Sequence, residues 1–199
     1  MKKMMFNDRY GLTQAVIHGR KTVTRRVVKD AWWPISKIEA EGMRGDLINV
    51  IANNGKLVIE RKCPYKIGEV VAVAQRYDSF LHPNNGVIEH DYQTTALASK
   101  GWDNKMFVKA DLMPHRIQIT DIRIERLQDI SDDDCMKEGL EWQHGANMFY
   151  VNYNRTNNSR KLLGDTPREA FASLIDKVSG RGTWDRNPFV WRIEFKLVK

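Results

Sequence analysis

The segment Gly19-Arg20-Lys21-Thr22-Val23-Thr24-Arg25-Arg26 gathers an amine, two hydroxyls and three guanidinium groups in one short run. A threonine hydroxyl is a weak nucleophile unless a base takes its proton. Lysine can be that base once its pKa falls toward neutrality. Arg20, Arg25 and Arg26 flank Lys21, and like charges disfavour its ammonium form, as partial burial does. The arginine forks also match a phosphate. Plainer roles compete: Arg25 and Arg26 pair with acidic groups of neighbouring strands, and Lys21, Thr22 and Thr24 form an ordinary strand surface with a solvated charge. In a regular strand residues 21 and 24 face opposite sides, so both meet one ligand only if a turn or bulge lies between them.

The charge distribution favours a ligand at this segment. The formal net charge is +7. Residues 1–62 hold 13 Lys+Arg against 6 Asp+Glu, while residues 63–199 hold 19 of each, so the whole surplus lies in the N-terminal third. A localised basic field attracts phosphate-bearing ligands. Hydrophobic residues at 42% and charged residues at 29% fit a globular chain and exclude a disordered one. No apolar run approaches the ~20 residues of a membrane span, and Met1-Lys2-Lys3-Met4-Met5-Phe6 lacks the features of a signal peptide. The expectation is a cytoplasmic protein with no membrane partner. Cys63 and Cys135 form no CxxC pattern and read as half-buried free thiols.

The elements that must position these groups are short. Residues 2–6 read as a strand, and Asn7 or Asp8 caps a helix through about His18, closed by Gly19 in a left-handed conformation. Lys21 to Val28 is strand or extended loop. Residues 47–62 read as a hairpin about Asn53-Asn54-Gly55, and Glu69 to Arg76 as a strand. Residues 78–105 and 141–164 are polar and read as insertions, with Phe107 and Val108 opening a short strand between them. Arg116 to Arg126 alternates with a break at Thr120-Asp121-Ile122 that a bulge would repair. Ser131-Asp132-Asp133-Asp134 is a capping-box-type start, with Asp134 in place of the usual Glu or Gln, for a helix that stops at Gly139, and Thr166-Pro167-Arg168-Glu169 is a better capping box for a longer one. Asn187 to Val198 closes the chain as a strand with Phe189, Trp191, Ile193, Phe195 and Leu197 on one face. Many short strands and few helices, with no linker, predict a single α+β domain.

Four blocks carry a resemblance. Ala15 to Arg26 resembles the opening signature of ASCH domains, a branch of the PUA-like superfamily. Tyr65-Lys66-Ile67-Gly68-Glu69-Val70-Val71-Ala72-Val73, Ile124 to Ser131 running on to Glu138-Gly139, and Pro188 to Phe195 are similar to its later strands, in order. The arrangement is most similar to a longer subgroup often encoded by phages and prophages. The resemblance implies a PUA-like small β-barrel with flanking helices and a cleft beside the Lys21 segment. Compact members are amidohydrolases that deacetylate N4-acetylcytidine with a Lys, a Thr and a Glu, which fall on Lys21, Thr24 and Glu138. Arg20, Arg25 and Arg26 then become substrate-binding groups, with a nucleoside or RNA or DNA as partner and neither cofactor nor metal. A non-catalytic nucleic-acid module and a phage-associated accessory protein are the alternatives.

Glu138 is unusual on its own account. A carboxylate in the last turn of a helix is disfavoured by the macrodipole, so a salt bridge or a site must hold it. Trp32, Trp33, Trp102, Trp142 and Trp184 are candidates to stack on a base, although most tryptophans pack cores, as Trp191 is expected to. His82, His90, His115 and His144 show no metal-ligand spacing.

Overall fold

A computed structural model describes residues 1–28, 35–41, 47–52, 57–81, 99–153 and 159–198. Helices and strands are mixed, as an α+β chain requires. Five strands form one sheet in the order β1 (Lys3–Met4), β6 (Val70–Val73), β7 (Arg116–Arg126), β11 (Phe189–Val198), β2 (Val23–Val27). β1 runs parallel to β6, and the other neighbours are antiparallel. A second sheet pairs β3 (Ile35–Glu41), β4 (Leu47–Ala52) and β5 (Leu57–Lys62). A third pairs β8 (Glu141–Gln143), β9 (Met148–Tyr153) and β10 (Ser159–Gly164). All three sheets are open among the described residues.

The long pair β7–β11 is the backbone of the fold. Glu194 pairs with Asp121 and Phe195 with Ile119, so Thr120 is left over as a bulge residue. That extra residue absorbs the three-residue step from Ile119 to Ile122, and Ile117, Ile119 and Ile122 all stay on the buried face. Trp191, Ile193 and Phe195 of β11 line the same face and are buried, whereas Leu197 at the strand's end is exposed. The opposite face carries Arg25, Arg123 and Arg192 in cross-strand register.

Helices begin where side chains can satisfy free backbone N–H groups. Ser131 accepts from the Asp134 N–H to start α2 (Asp132–Lys137), and Thr166 and Glu169 form a reciprocal capping box for α3 (Pro167–Ser179). α4 (Thr183–Arg186) follows. The expected N-terminal helix is broken: Asn7 caps a 3-10 turn at Asp8–Tyr10, and α1 spans only Leu12–Ile17. Gly11 between them has φ +63°, and a Cβ there would lie 2.7 Å from the Asn152 carbonyl oxygen of β9. Close approach of β9, which sequence cannot show, sets that break.

Other readings change as well. Within the second insertion, residues 141–143, 148–153 and 159–164 form the third sheet, packed on α3, and Tyr150 and Val151 are buried; residues 154–158 lie outside the described residues. Phe107 lies in a 3-10 turn (Lys105–Phe107), not a strand. Residues 82–98 of the first insertion and the hairpin tip at 53–56 lie outside the described residues. Both thiols are buried rather than half-buried, and burial pushes the Cys135 thiol up to about 12. No described helix is long and apolar enough to cross a membrane.

Candidate active site

Lys21 leaves α1 through a tight turn. Gly19 adopts φ +71°, and the N–H groups of Arg20 and Lys21 both donate to the Ala15 carbonyl, at 2.8 and 2.9 Å. Lys21 and Thr22 stand before β2 in irregular backbone, and Thr22 donates 3.0 Å to the Lys137 carbonyl at the end of α2. α2 ends beside the lysine because Gly139 follows it with φ +100°. A Cβ there would meet the Ala15 Cβ at 3.3 Å and the Lys21 Cβ at 3.4 Å.

Glu138, the C-cap of α2, sends its carboxylate onto the Lys21 amine. The amine also donates 2.8 Å to the Val23 carbonyl and 2.9 Å to the Glu138 carbonyl. All three N–H bonds of a protonated amine are therefore used. Lys21 is 2% exposed and Glu138 4%. Burial lowers the Lys21 pKa, against the pull of the Glu138 carboxylate; Arg26 and Arg25 lower it further.

Arg25 is the second partner of Glu138, at 3.2 Å, and it also binds Glu125 and Asp134, each at 2.7 Å. Asp134 in turn takes two hydrogen bonds from Arg192, at 2.6 and 3.1 Å. Those bonds from Arg192, assisted by Arg25, hold the Asp134 carboxyl well below its ordinary range despite burial. Arg192 is raised by the same contact. The guanidinium of Arg25 also lies 6.0 Å from the Phe171 ring centroid. Its side chain is fully buried in ion pairs, which leaves it no open edge for a phosphate.

Thr24 sits on the other face of the sheet. It pairs in register with Ile193, which pairs with Ile122, whereas Arg25 pairs with Arg192. Residues directly opposite share a face, so Thr24 belongs with the isoleucines and not with the ion pairs. Its hydroxyl forms no hydrogen bond with a described residue, Lys21 included. Arg26 shares this face, donates 2.9 Å to the Met5 carbonyl, and keeps a buried Nε without a partner. Arg20 is tied to Glu141, which also accepts from Asn152 at 2.9 Å.

Of the six residues singled out in the sequence, the structure thus joins Lys21, Glu138 and Arg25, and holds Thr24, Arg26 and Arg20 apart from that cluster. Sequence reasoning missed Glu125, Asp134 and Arg192, which complete it. Asp134 was visible only as a helix-capping residue. Arg192 carried one weak signal: a charge at the middle of a strand whose neighbours are bulky and apolar.

Other candidates resolve more simply. Trp184 packs edge-on to Phe171 at 6.1 Å, and Trp191 is core. Trp102 packs partly buried against a small cluster around Tyr77, and Trp142 against Phe149. Trp32 and Trp33 lie outside the described residues, as do His82 and His90. His115 bonds Gln75 at 2.8 Å. No cluster of three or more potential metal ligands occurs among the described residues. Comparisons with protein-family models, with curated proteins and with solved structures yield no match to this chain.

Proposed function

We propose that this chain is an ASCH-type protein with a PUA-like barrel, which holds a nucleoside or nucleic acid beside the Gly19–Arg26 segment and deacylates N4-acylated cytidine with its own side chains. The observation that supports this is the contact between Lys21 and Glu138. The resemblance selected these two residues separately, from blocks more than a hundred positions apart, and they meet as a buried amine–carboxylate pair. A burial-lowered amine held by a carboxylate is suited to taking and returning a proton. In the reaction, the hydroxyl of Thr24 loses its proton to the neutral amine and its oxygen attacks the acyl carbon. The bond to the cytosine N4 breaks, N4 receives the proton, and water then frees the acyl group from Thr24. Thr24 is paired with Ile193 within β2 and faces away from the Lys21 amine, so this step requires β2 to rearrange at Thr24 before hydroxyl and amine meet.

The test is hydrolysis of N4-acetylcytidine by the wild type and by Lys21→Ala, Thr24→Ala and Glu138→Gln, each checked for folding. Activity in the wild type that falls at least a hundredfold (roughly the low end of acid–base contributions) in Lys21→Ala and Thr24→Ala is expected. A folded wild type with no activity above background ends the enzymatic reading for that substrate.

A second reading is a binding module without catalysis. The saturated hydrogen bonds of Lys21 and the face that Thr24 occupies favour it. It predicts single-stranded RNA binding that weakens steeply with salt; salt-independent binding, or none, counts against it.

A further inference from the structure

The 3-10 turn Lys105–Phe107 holds two large apolar side chains out of the fold. Met106 is 62% exposed and Phe107 54%, while Val108 beside them is buried. The turn is fastened to three other parts of the chain. Lys3 of β1 donates 2.7 Å to both the Met106 and the Val108 carbonyls. The Lys105 amine donates 2.8 Å to Asp8 and 3.2 Å to the Thr13 hydroxyl, and also binds the Phe6 carbonyl. The Tyr77 hydroxyl accepts from the Lys109 N–H at 2.9 Å. Asn104 caps the turn by accepting from the Met106 N–H at 2.9 Å. Exposed apolar residues scattered singly need no explanation. Two adjacent ones on a turn tied to β1, to α1 and to Tyr77 are preorganised, and preorganisation favours a bound partner.

The charge around the turn is positive. Lys100 is exposed and places its amine 5.7 Å from the Phe107 ring centroid, and Lys109 is exposed two residues beyond the ring. The Lys3 amine spends only two of its three N–H bonds on the turn. Of the nearby carboxylates, Asp8 is taken by Lys105 and Asp111 lies 3.6 Å from the N-terminal amine, which leaves Asp103 against three lysines. We infer that the turn is a stacking platform for one base of a single-stranded nucleic acid, whose phosphates meet Lys100 and Lys109. A flat ring accepts the π-face of any base, and flanking ammonium groups track the backbone. A folded protein partner needs far more surface: a stable interface takes about 800 Å² from each side, against roughly 150–250 Å² for an aromatic side chain. A lipid surface likewise needs more apolar insertion than one ring and one methionine supply. Such a platform presupposes the nucleic-acid reading of the Gly19–Arg26 segment, and it makes the partner a polymer rather than a free nucleoside. The two places lie at opposite ends of α1. Lys105 touches Thr13 in its first turn and Gly19 follows its last, roughly 9 Å away for a helix of 6 residues. A short run of nucleotides reaches both.

Fluorescence anisotropy of a labelled single-stranded RNA oligonucleotide with the full chain tests it. Phe107→Ala should weaken binding about fivefold or more, the low end for one stacked base, and Phe107→Trp should restore it. Lys100→Gln and Lys109→Gln should each reduce the salt slope of binding by about 0.7, whereas Phe107→Ala should leave that slope unchanged. Leu162→Ala, which removes an apolar side chain 41% exposed on β10, should bind as the wild type does. A melting curve on each variant confirms the fold. Wild-type binding that Phe107→Ala leaves intact overturns the platform and spares the nucleic-acid reading. No RNA binding, with hydrolysis of free N4-acetylcytidine, overturns the platform and spares the enzymatic reading. Absence of both overturns the platform together with the proposed function. Binding of phosphatidylserine vesicles without binding of RNA also overturns it.

Discussion

Arg25 and Arg192 stand directly opposite each other on β2 and β11, and both guanidinium groups end on the one carboxylate of Asp134. Two like charges in cross-strand register repel, and a carboxylate delivered by a helix from elsewhere in the chain reverses the sign of that contact. Glu125 and Glu138 complete the shell around Arg25, and Glu194 accepts from Arg192 at 3.0 Å. The candidate site is thus one end of a buried ionic lattice that also docks α2 on the sheet.

Removing the shared carboxylate leaves two buried arginines short of a counter-charge. Asp134→Asn should destabilise the fold by about 3–5 kcal/mol, measured by urea denaturation. Asp132→Asn, on the exposed side of the same turn, should change it by no more than about 0.5 kcal/mol. Equal, small effects at both positions would show that Asp134 does not bind the lattice together.

Acid should act through the same group. The folded pKa of Asp134 lies below its ordinary 3.8, because Arg192 and Arg25 bind its charged form. At a pH between the two values the unfolded chain holds more protons than the native one, so stability falls as pH falls. The contribution is complete above 3.8 and disappears as pH drops through the folded value. Urea midpoints between pH 7 and pH 2 should decline more steeply for the wild type than for Asp134→Asn below about pH 4; parallel profiles would contradict the assignment.

Lys21 and Glu138 should prove strongly coupled. Lys21→Met and Glu138→Leu each strand a buried partner and should cost about 3–5 kcal/mol. The double variant should cost less than their sum by about 1–3 kcal/mol. Strict additivity in a double-mutant cycle would mean that the pair is not formed. The pH sign here is opposite in cause to that of Asp134. Burial lowers the folded pKa of Lys21 below 10.5, so the unfolded chain binds that proton more tightly. The penalty for the buried ammonium therefore shrinks as pH rises from the folded value toward 10.5.

Gly139 should be the least tolerant glycine near the site. Its φ of +100° and the 3.3 Å approach to Ala15 leave little room for a side chain. Gly139→Ala should destabilise by about 1–2 kcal/mol. Gly145→Ala, with nothing within 4 Å of its Cβ position and no positive φ, should change stability by no more than about 0.5 kcal/mol. Denaturation midpoints of the two variants decide this.

Sequence by itself determined the features that a few consecutive residues control. Gly19 ends the turn after α1, Ser131 and Thr166 start their helices, and the misstep at Thr120 marks a bulge, because each rests on local backbone geometry or on hydrogen bonds three residues long. It also exposed Glu138 as a carboxylate in need of a partner. Tertiary structure alone decided who the partners are. Arg25 meets Asp134 and Glu138 from positions 109 and 113 residues away, and no periodicity encodes a contact of that length. The face of Thr24 was likewise set by its pairing with Ile193 across strands, and the break at Gly11 by a carbonyl of β9. Arg25 reads in the sequence as a phosphate ligand or a partner for acidic groups of neighbouring strands; it is buried because Asp134 on α2, Glu138 at its C-cap and Phe171 on α3 cover it.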